Sequence, residues 1–205
     1  MTALPADSWL LSLRPQLDPV TAAEYEQLPE EICRAIEVVD GYVIFCESPS
    51  REHQRAGRRL AQLIEKYSRA AGGHGYGCLE VDTDVDLRLQ DVPLLNRRPD
   101  VILYRCLNRG EKIRADDAVL VVEIVSPGSV AADTADKFTE YARAGIPHYW
   151  IVRLDQTGVS TIERYRLDPG AHLYKHVGTL MKDEGDTAVV TNPLPMMVTW
   201  PDLEF

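Results

Sequence analysis

The segment VLVVEIV at 119–125 constrains this chain most, because an apolar run without polar alternation is the pattern of a strand covered on both faces. Such a strand sits inside a sheet that carries a layer on each side. The segments after it agree. An SPGS turn leads to a helix expected over 133–144 and closed by Gly145 and Pro147, and a second apolar strand, HYWIV, follows at 148–152. Strand, helix, strand is the order that lays two strands parallel through a right-handed crossover. The expected class is therefore α/β, a mixed central sheet flanked by helices.

The rest of the chain adds to that core. PDVILY at 99–104 reads as another strand, and two short strands are expected within 76–90, with Pro93 interrupting before the next segment. Upstream, Asp40-Gly41 separates IEVV from YVIF and favours a two-residue type I′ hairpin turn, which places Glu37 on the first strand. Before the hairpin, Thr21 and Glu24 stand at capping-box spacing, so a short helix is expected to end near Pro29. After it, a helix over 51–70 carries Ala56, Leu60, Leu63, Ile64 and Tyr67 on one face and stops at Gly72-Gly73. Residues 1–20, with Pro5, Pro15 and Pro19, read as an arm, and 21–205 as a single domain with an additional N-terminal hairpin and C-terminal strands. In the tail, STIERYRL and HLYKHV are expected to pair, with a looser end around Pro193, Pro195 and Pro201.

Charge and composition narrow the function classes. No apolar run approaches the roughly 18–20 residues that span a bilayer, and the N-terminus lacks the early basic residues of a secretory signal, so a cytoplasmic protein is expected. A net charge of −10 opposes strong binding of nucleic acid by the whole surface and leaves only a local contact. Cys33, Cys46, Cys78 and Cys106 show no CxxC or zinc-type spacing and are expected to be reduced, semi-buried thiols.

The residue that asks for chemistry is Glu123. An ionised carboxylate among Val, Leu and Ile is costly unless it is paired or bound to a cation. A salt bridge, or a strand end that reaches solvent early, would explain it; so would a metal. Asp100 after Pro99 is unremarkable alone. If the strands carrying Asp100 and Glu123 are neighbours, however, the two carboxylates can converge on one Mg²⁺, which takes one or two carboxylates and completes its shell with water and phosphate. Such an ion would polarise a phosphodiester and lower the pKa of the attacking water. Lys137 stands one turn after Asp133, where an exposed i,i+4 pair is the ordinary reading. Facing the metal, it would instead orient the water or neutralise charge developing on phosphate. Tyr141 and Trp150 are assigned to the core. Ser126 and Ser129 flank Pro127-Gly128 ahead of a helix, where backbone N–H groups could hold a phosphate, though a plain turn has the same signature.

These residues together resemble the Uma2-like restriction endonuclease family of the PD-(D/E)xK nuclease superfamily. The matching pieces are EVVDGYV at 37–43, His53, PDVILY, LVVEIVSPGS, Asp133, Lys137, Tyr141, AGIPHYWIV and the strand ending ERYRL. The resemblance spans roughly residues 21–205. It implies a restriction-endonuclease-like core and Mg²⁺, with Mn²⁺ as a substitute, held by Asp100 and Glu123. The superfamily places lysine two residues after the glutamate, where this chain has Val125; the Uma2-like pattern has it in the next helix, matching Lys137. Glu37 matches a further acidic position and His53 a recurrent histidine near the site. The implied activity is hydrolysis of DNA, with catalytic Asp100, Glu123, Lys137 and Glu37 and with His53 towards the substrate; Arg55 and Arg98, from the basic stretches of the chain, and Ser126, from the SPGS turn, are further substrate-binding candidates. Arg51, Arg55, Arg58, Arg59, Lys66 and Arg69 could line a phosphate track if they share the polar face of their helix. Cutting both strands would suit a homodimer, by analogy. The alternative is a nuclease-fold binding module without activity, for which the −10 charge and Val125 speak.

Overall fold

The computed structural model describes residues 18–46, 48–71, 76–125 and 131–205, without the side chains of 131–133. Its centre is β7 (Ala118–Val125), which lies between β6 (Val101–Arg105) and β8 (His148–Leu154) in a six-stranded sheet of order β10-β9-β8-β7-β6-β3. The non-alternating run does what its composition demands: Leu120, Val122 and Ile124 enter one core, and Ala118 and Val121 enter the other.

The first core packs the sheet against α3 (Arg51–Ala71), through Ala56, Leu60, Leu63 and Ile64, as the helical period anticipates. The second packs it against α4 (Ala131–Arg143), through Tyr141 and Ala142, with Ile146 just beyond. β7 and β8 are parallel, pairing Glu123 with Ile151, and α4 connects them. Gly145, at φ 85°, takes the left-handed conformation that ends α4. The Gly72-Gly73 stop and the SPGS turn lie outside the described residues.

A four-stranded sheet, ordered β2-β1-β5-β4, stands beside this core. Its hairpin joins β1 (Ile36–Val39) to β2 (Tyr42–Phe45) with Asp40 at φ 51° and Gly41 at φ 83°, the two positive values that a type I′ turn requires. The short helix α1 (Ala22–Tyr25) carries the expected capping box, Thr21 with Glu24, and α2 (Glu30–Cys33) follows Pro29.

Several expectations are corrected. The short strands of 76–90 divide between the two sheets: β3 (Leu79–Asp82) pairs with β6, while β4 (Leu87–Asp91) pairs with β5 (Leu94–Arg97) across Val92-Pro93. Nor is the tail loose. Beyond the paired β9 (Val159–Asp168) and β10 (Leu173–Met181), the hairpin β11 (Thr187–Val190) and β12 (Met196–Thr199) delivers Val190, Leu194, Met196, Val198, Trp200 and Leu203 to the first core. The prolines shape turns, and the apolar residues between them do the packing. Finally, Cys78 and Cys106 are not reduced thiols but a disulfide, because the antiparallel register that pairs Leu79 with Arg105 sets them opposite one another. No helix of the described residues is long and apolar enough to cross a membrane.

Candidate active site

The antiparallel register of β6 on β7 matches Val101 with Val122, so the next step along it sets Asp100 opposite Glu123. Opposite residues of an antiparallel pair project to the same face, which is why two carboxylates far apart in sequence meet here. Asp100 is gripped from two sides. Its Oδ2 accepts the backbone N–H of Ile124 at 2.6 Å, and its Oδ1 lies 2.7 Å from His53 Nε2. His53 reaches it from the first turn of α3, where Gly57, one turn on, packs close to the Asp100 carbonyl.

Glu123 is buried at 7% exposure, and its two oxygens are held by α4. Tyr141 donates to Oε1 at 2.7 Å, and Lys137 to Oε2 at 3.2 Å. The spacing of those donors is that of one helix face: Lys137 and Tyr141 are i,i+4 neighbours. Glu37 enters from β1. Its Oε1 lies 3.4 Å from Lys137 Nζ and accepts the Arg98 N–H at 2.9 Å, while Oε2 takes Arg97 Nη1 at 2.7 Å. Arg97, only 2% exposed, also clasps Glu140 of α4 through Nε at 2.6 Å and Nη2 at 2.9 Å. Two sheets and two helices are thus tied together by ionic side chains.

The charges are unevenly balanced. Burial pushes the Glu123 carboxyl up to about 7; Lys137 and the Tyr141 hydroxyl pull it down, while Asp100 and Glu37 push it further up. At Glu37 burial also works upward, but the charges of Lys137 and Arg97 and the Arg98 N–H outweigh it and hold the carboxyl below its usual value. Burial opposes a charged His53, yet the hydrogen bond and charge of Asp100 carry its pKa above the ordinary histidine value. Glu123 and Glu37 thus draw on the same Lys137 charge, with Asp100 adding a further negative charge beside Glu123.

The other sequence candidates fall differently. Arg98 contributes its backbone to Glu37, but its guanidinium is turned to Asp86 and the Asp84 carbonyl. Arg55, half-buried two residues after His53 on α3, makes none of the polar contacts above. Along the same helix Arg59 donates to the Asp202 carbonyl, Arg69 pairs with Glu65, and Lys66 lies over the Tyr67 ring, so part of the basic face serves intramolecular contacts. Ser126 and Ser129 lie outside the described residues. Tyr141 is the core residue expected, its ring fully buried, and its hydroxyl in addition donates to Glu123. Glu140 went unread, and Arg97, which with Arg98 forms a basic pair ahead of Pro99 in the sequence, is turned inward onto carboxylates. Tyr141 was legible in principle, since it shares the face of Lys137; the Arg97 partners, 60 and 43 residues away, were not.

Comparison with known proteins bears on this arrangement. The family model described as Uma2, putative restriction endonuclease, matches residues 22–202. The chain belongs to the Uma2 family. A search of the curated proteins finds no match. Among solved structures, the chain is similar to a putative nuclease belonging to DUF820 from Anabaena variabilis ATCC 29413, with a TM-score of 0.61 and 18% identity over 90% of this chain and 97% of that one. That likeness establishes the fold, with multi-strand sheets flanked by helices. Membership of the Uma2 family supports a nuclease function, and it covers every element that brings Glu37, His53, Asp100, Glu123 and Lys137 together.

Proposed function

We propose that the protein is a Mg²⁺-dependent endonuclease that hydrolyses phosphodiester bonds in DNA, with Asp100 and Glu123 as metal ligands. The observation that carries this reading is the meeting of half-buried Asp100 with buried Glu123, which Lys137 holds. Glu37 and Glu123 share Lys137 there, Asp100 stands opposite Glu123, and Glu123 is forced towards neutrality. A divalent cation would offset that negative charge, and the donor set suits Mg²⁺: hard carboxylate oxygens from adjoining strands, with the remaining positions left to water and a phosphate oxygen. Mn²⁺ is the natural substitute.

When bound, the ion supplies Lewis-acid polarisation of the phosphoryl oxygen and an acidified water. The chain's own residues do the rest. Tyr141 and the Ile124 N–H fix the orientation of the two carboxylates, and His53 locks the remaining oxygen of Asp100. Lys137, between Glu123 and Glu37, is placed to hold the attacking water or to meet the charge gathering on the phosphate. Glu37, kept ionised, holds Lys137 charged.

The test is cleavage of supercoiled plasmid with Mg²⁺ or Mn²⁺. Glu123→Gln keeps the shape and removes the charge, and it is expected to lower cleavage by about a hundred- to a thousandfold, the scale of losing a principal electrostatic group. Cleavage that survives unchanged in Glu123→Gln refutes the assignment. One observation favours a second reading, a nuclease-fold binding module. Among the described residues no three His, Cys, Asp or Glu side chains gather as a metal-binding group, and each oxygen of Asp100 and Glu123 already accepts a hydrogen bond. A calorimetric titration in which neither Mg²⁺ nor Mn²⁺ binds would select that reading.

A further inference from the structure

On the opposite face of the six-stranded sheet from Glu123, a cavity of about 340 Å³ opens between β8, β9 and the segment that follows β11. His148, Arg164, Arg166, Thr191 and Asn192 line it, with Trp150 among them. The register explains the grouping. Trp150 pairs with Arg164 and His148 with Arg166, so these side chains share one face of neighbouring strands. Along β7, His148 pairs with Leu120, three positions from Glu123 towards the other end of the strand, on the order of 10 Å away. The cavity is separate from the carboxylate site.

Its charge is unusual for this protein. The chain carries 32 acidic and 22 basic residues, and several arginines elsewhere sit against carboxylates, among them Arg34, Arg88, Arg97, Arg98, Arg114 and Arg153. Among the described residues no Asp or Glu lines this cavity, and Arg164 and Arg166 have no carboxylate partner. The Arg164 Nε is buried with no hydrogen-bond partner. An unpaired buried donor on a cation is costly, and a bound anion removes the cost. The backbone makes room for this guanidinium as well. Gly178 sits at a bulge in β10 with φ 144°, and a Cβ there would lie 2.8 Å from Arg164 Nη2.

We propose that this cavity binds a phosphate group, gripped by Arg164 and Arg166, at a site distinct from the carboxylate centre. Two arginines at i and i+2 of a strand stand roughly 7 Å apart at the backbone, so their planar forks can close on one phosphate from two sides. His148, Thr191 and Asn192 add neutral donors. Burial and the nearby Arg166 push the His148 pKa down to about 4, so its ring is uncharged at neutral pH and hydrogen-bonds without adding repulsion. The same chemistry is offered by inorganic phosphate, by a small phosphorylated compound and by the backbone of a nucleic-acid strand.

The experiment is an NMR titration of the arginine Nε–Hε resonances of the full chain at pH 7 and constant ionic strength. Sodium phosphate is one arm and a short single-stranded oligonucleotide the other, with sodium chloride as control. Saturable movement of the Arg164 resonance with phosphate or oligonucleotide, but not with chloride, is expected. Arg166→Gln, an exposed position, should weaken it roughly tenfold or more, the scale of a charge-assisted hydrogen bond. An oligonucleotide that saturates at least tenfold below phosphate identifies a strand backbone as the source; phosphate as tight or tighter identifies a free phosphate compound. The proposal is overturned if chloride reproduces the movement, if neither ligand produces it, or if Arg166→Gln and Arg164→Lys both bind as tightly as the parent. It is equally overturned if Glu123→Gln abolishes the movement, since the anion would then belong to the carboxylate site.

Discussion

Tyr141→Phe separates the structural and electrostatic roles of the candidate site. The substitution removes one hydroxyl from a fully buried ring and leaves Glu123 Oε1 without its 2.7 Å donor. In the folded protein burial raises the Glu123 carboxyl from 4.5 to about 7. Between those two values the native state binds a proton that the unfolded chain has released, so this group makes stability fall as pH rises through the interval. Below about pH 5 the carboxyl is protonated in the native state, and the lost hydrogen bond is a neutral one, worth about 0.5–1.5 kcal/mol. Above about pH 7 the native carboxylate is ionised and the lost bond is charge-assisted, worth about 1.5–3 kcal/mol. The destabilisation should therefore grow by roughly 1–1.5 kcal/mol between pH 5 and pH 8, and the Glu123 pKa should move up by about one unit in the variant, at about 1.4 kcal/mol per unit. Urea unfolding of both proteins at pH 5, 6, 7 and 8, with equal slopes against denaturant, measures the difference. A destabilisation that is constant or shrinks with rising pH would show that Tyr141 does not donate to an ionised Glu123, and the electrostatic account of the site would fail with it.

Arg97→Met strips the cation from Glu37 and Glu140 while keeping much of the volume; a loss of about 3–5 kcal/mol is expected at pH 7, by denaturant unfolding, and less at a pH acidic enough to protonate Glu37, whose carboxyl is held below its usual value. Equal loss at both pH values would mean that packing, not charge, is what Arg97 supplies. Thiol titration of the denatured oxidised protein should find only Cys33 and Cys46 reactive. Because the Cys78–Cys106 bridge closes a separation of 28 residues, its reduction should cost up to about 3.6 kcal/mol, read as a lower melting temperature. Four reactive thiols before reduction would remove the bridge.

The sequence by itself determined the elements whose signals are local. A positive-φ pair at Asp40-Gly41, the capping box of Thr21 and Glu24, the one-sided period of α3 and the unbroken apolar run of β7 are each written within a few neighbouring residues, and each formed as read. It also determined that Glu123 needed a partner, because a carboxylate in that strand is too costly to leave idle. Only the tertiary structure decided which partners it took. Register set Asp100 opposite Glu123 and Cys78 opposite Cys106; the packing of α4 brought the hydroxyl of the core residue Tyr141 onto Glu123; and the pairing of β1 with β5 put Glu37 on Arg97. The tail shows the same division. Its prolines suggested a loose end, while its buried residues found a surface prepared by α3 and the sheet. Such pairings depend on how distant segments come to lie against each other, and the energy of a long-range contact leaves no mark on the residues beside it in the chain. Glu123 thus announced a site, and the fold chose Lys137, Tyr141 and Asp100 to complete it.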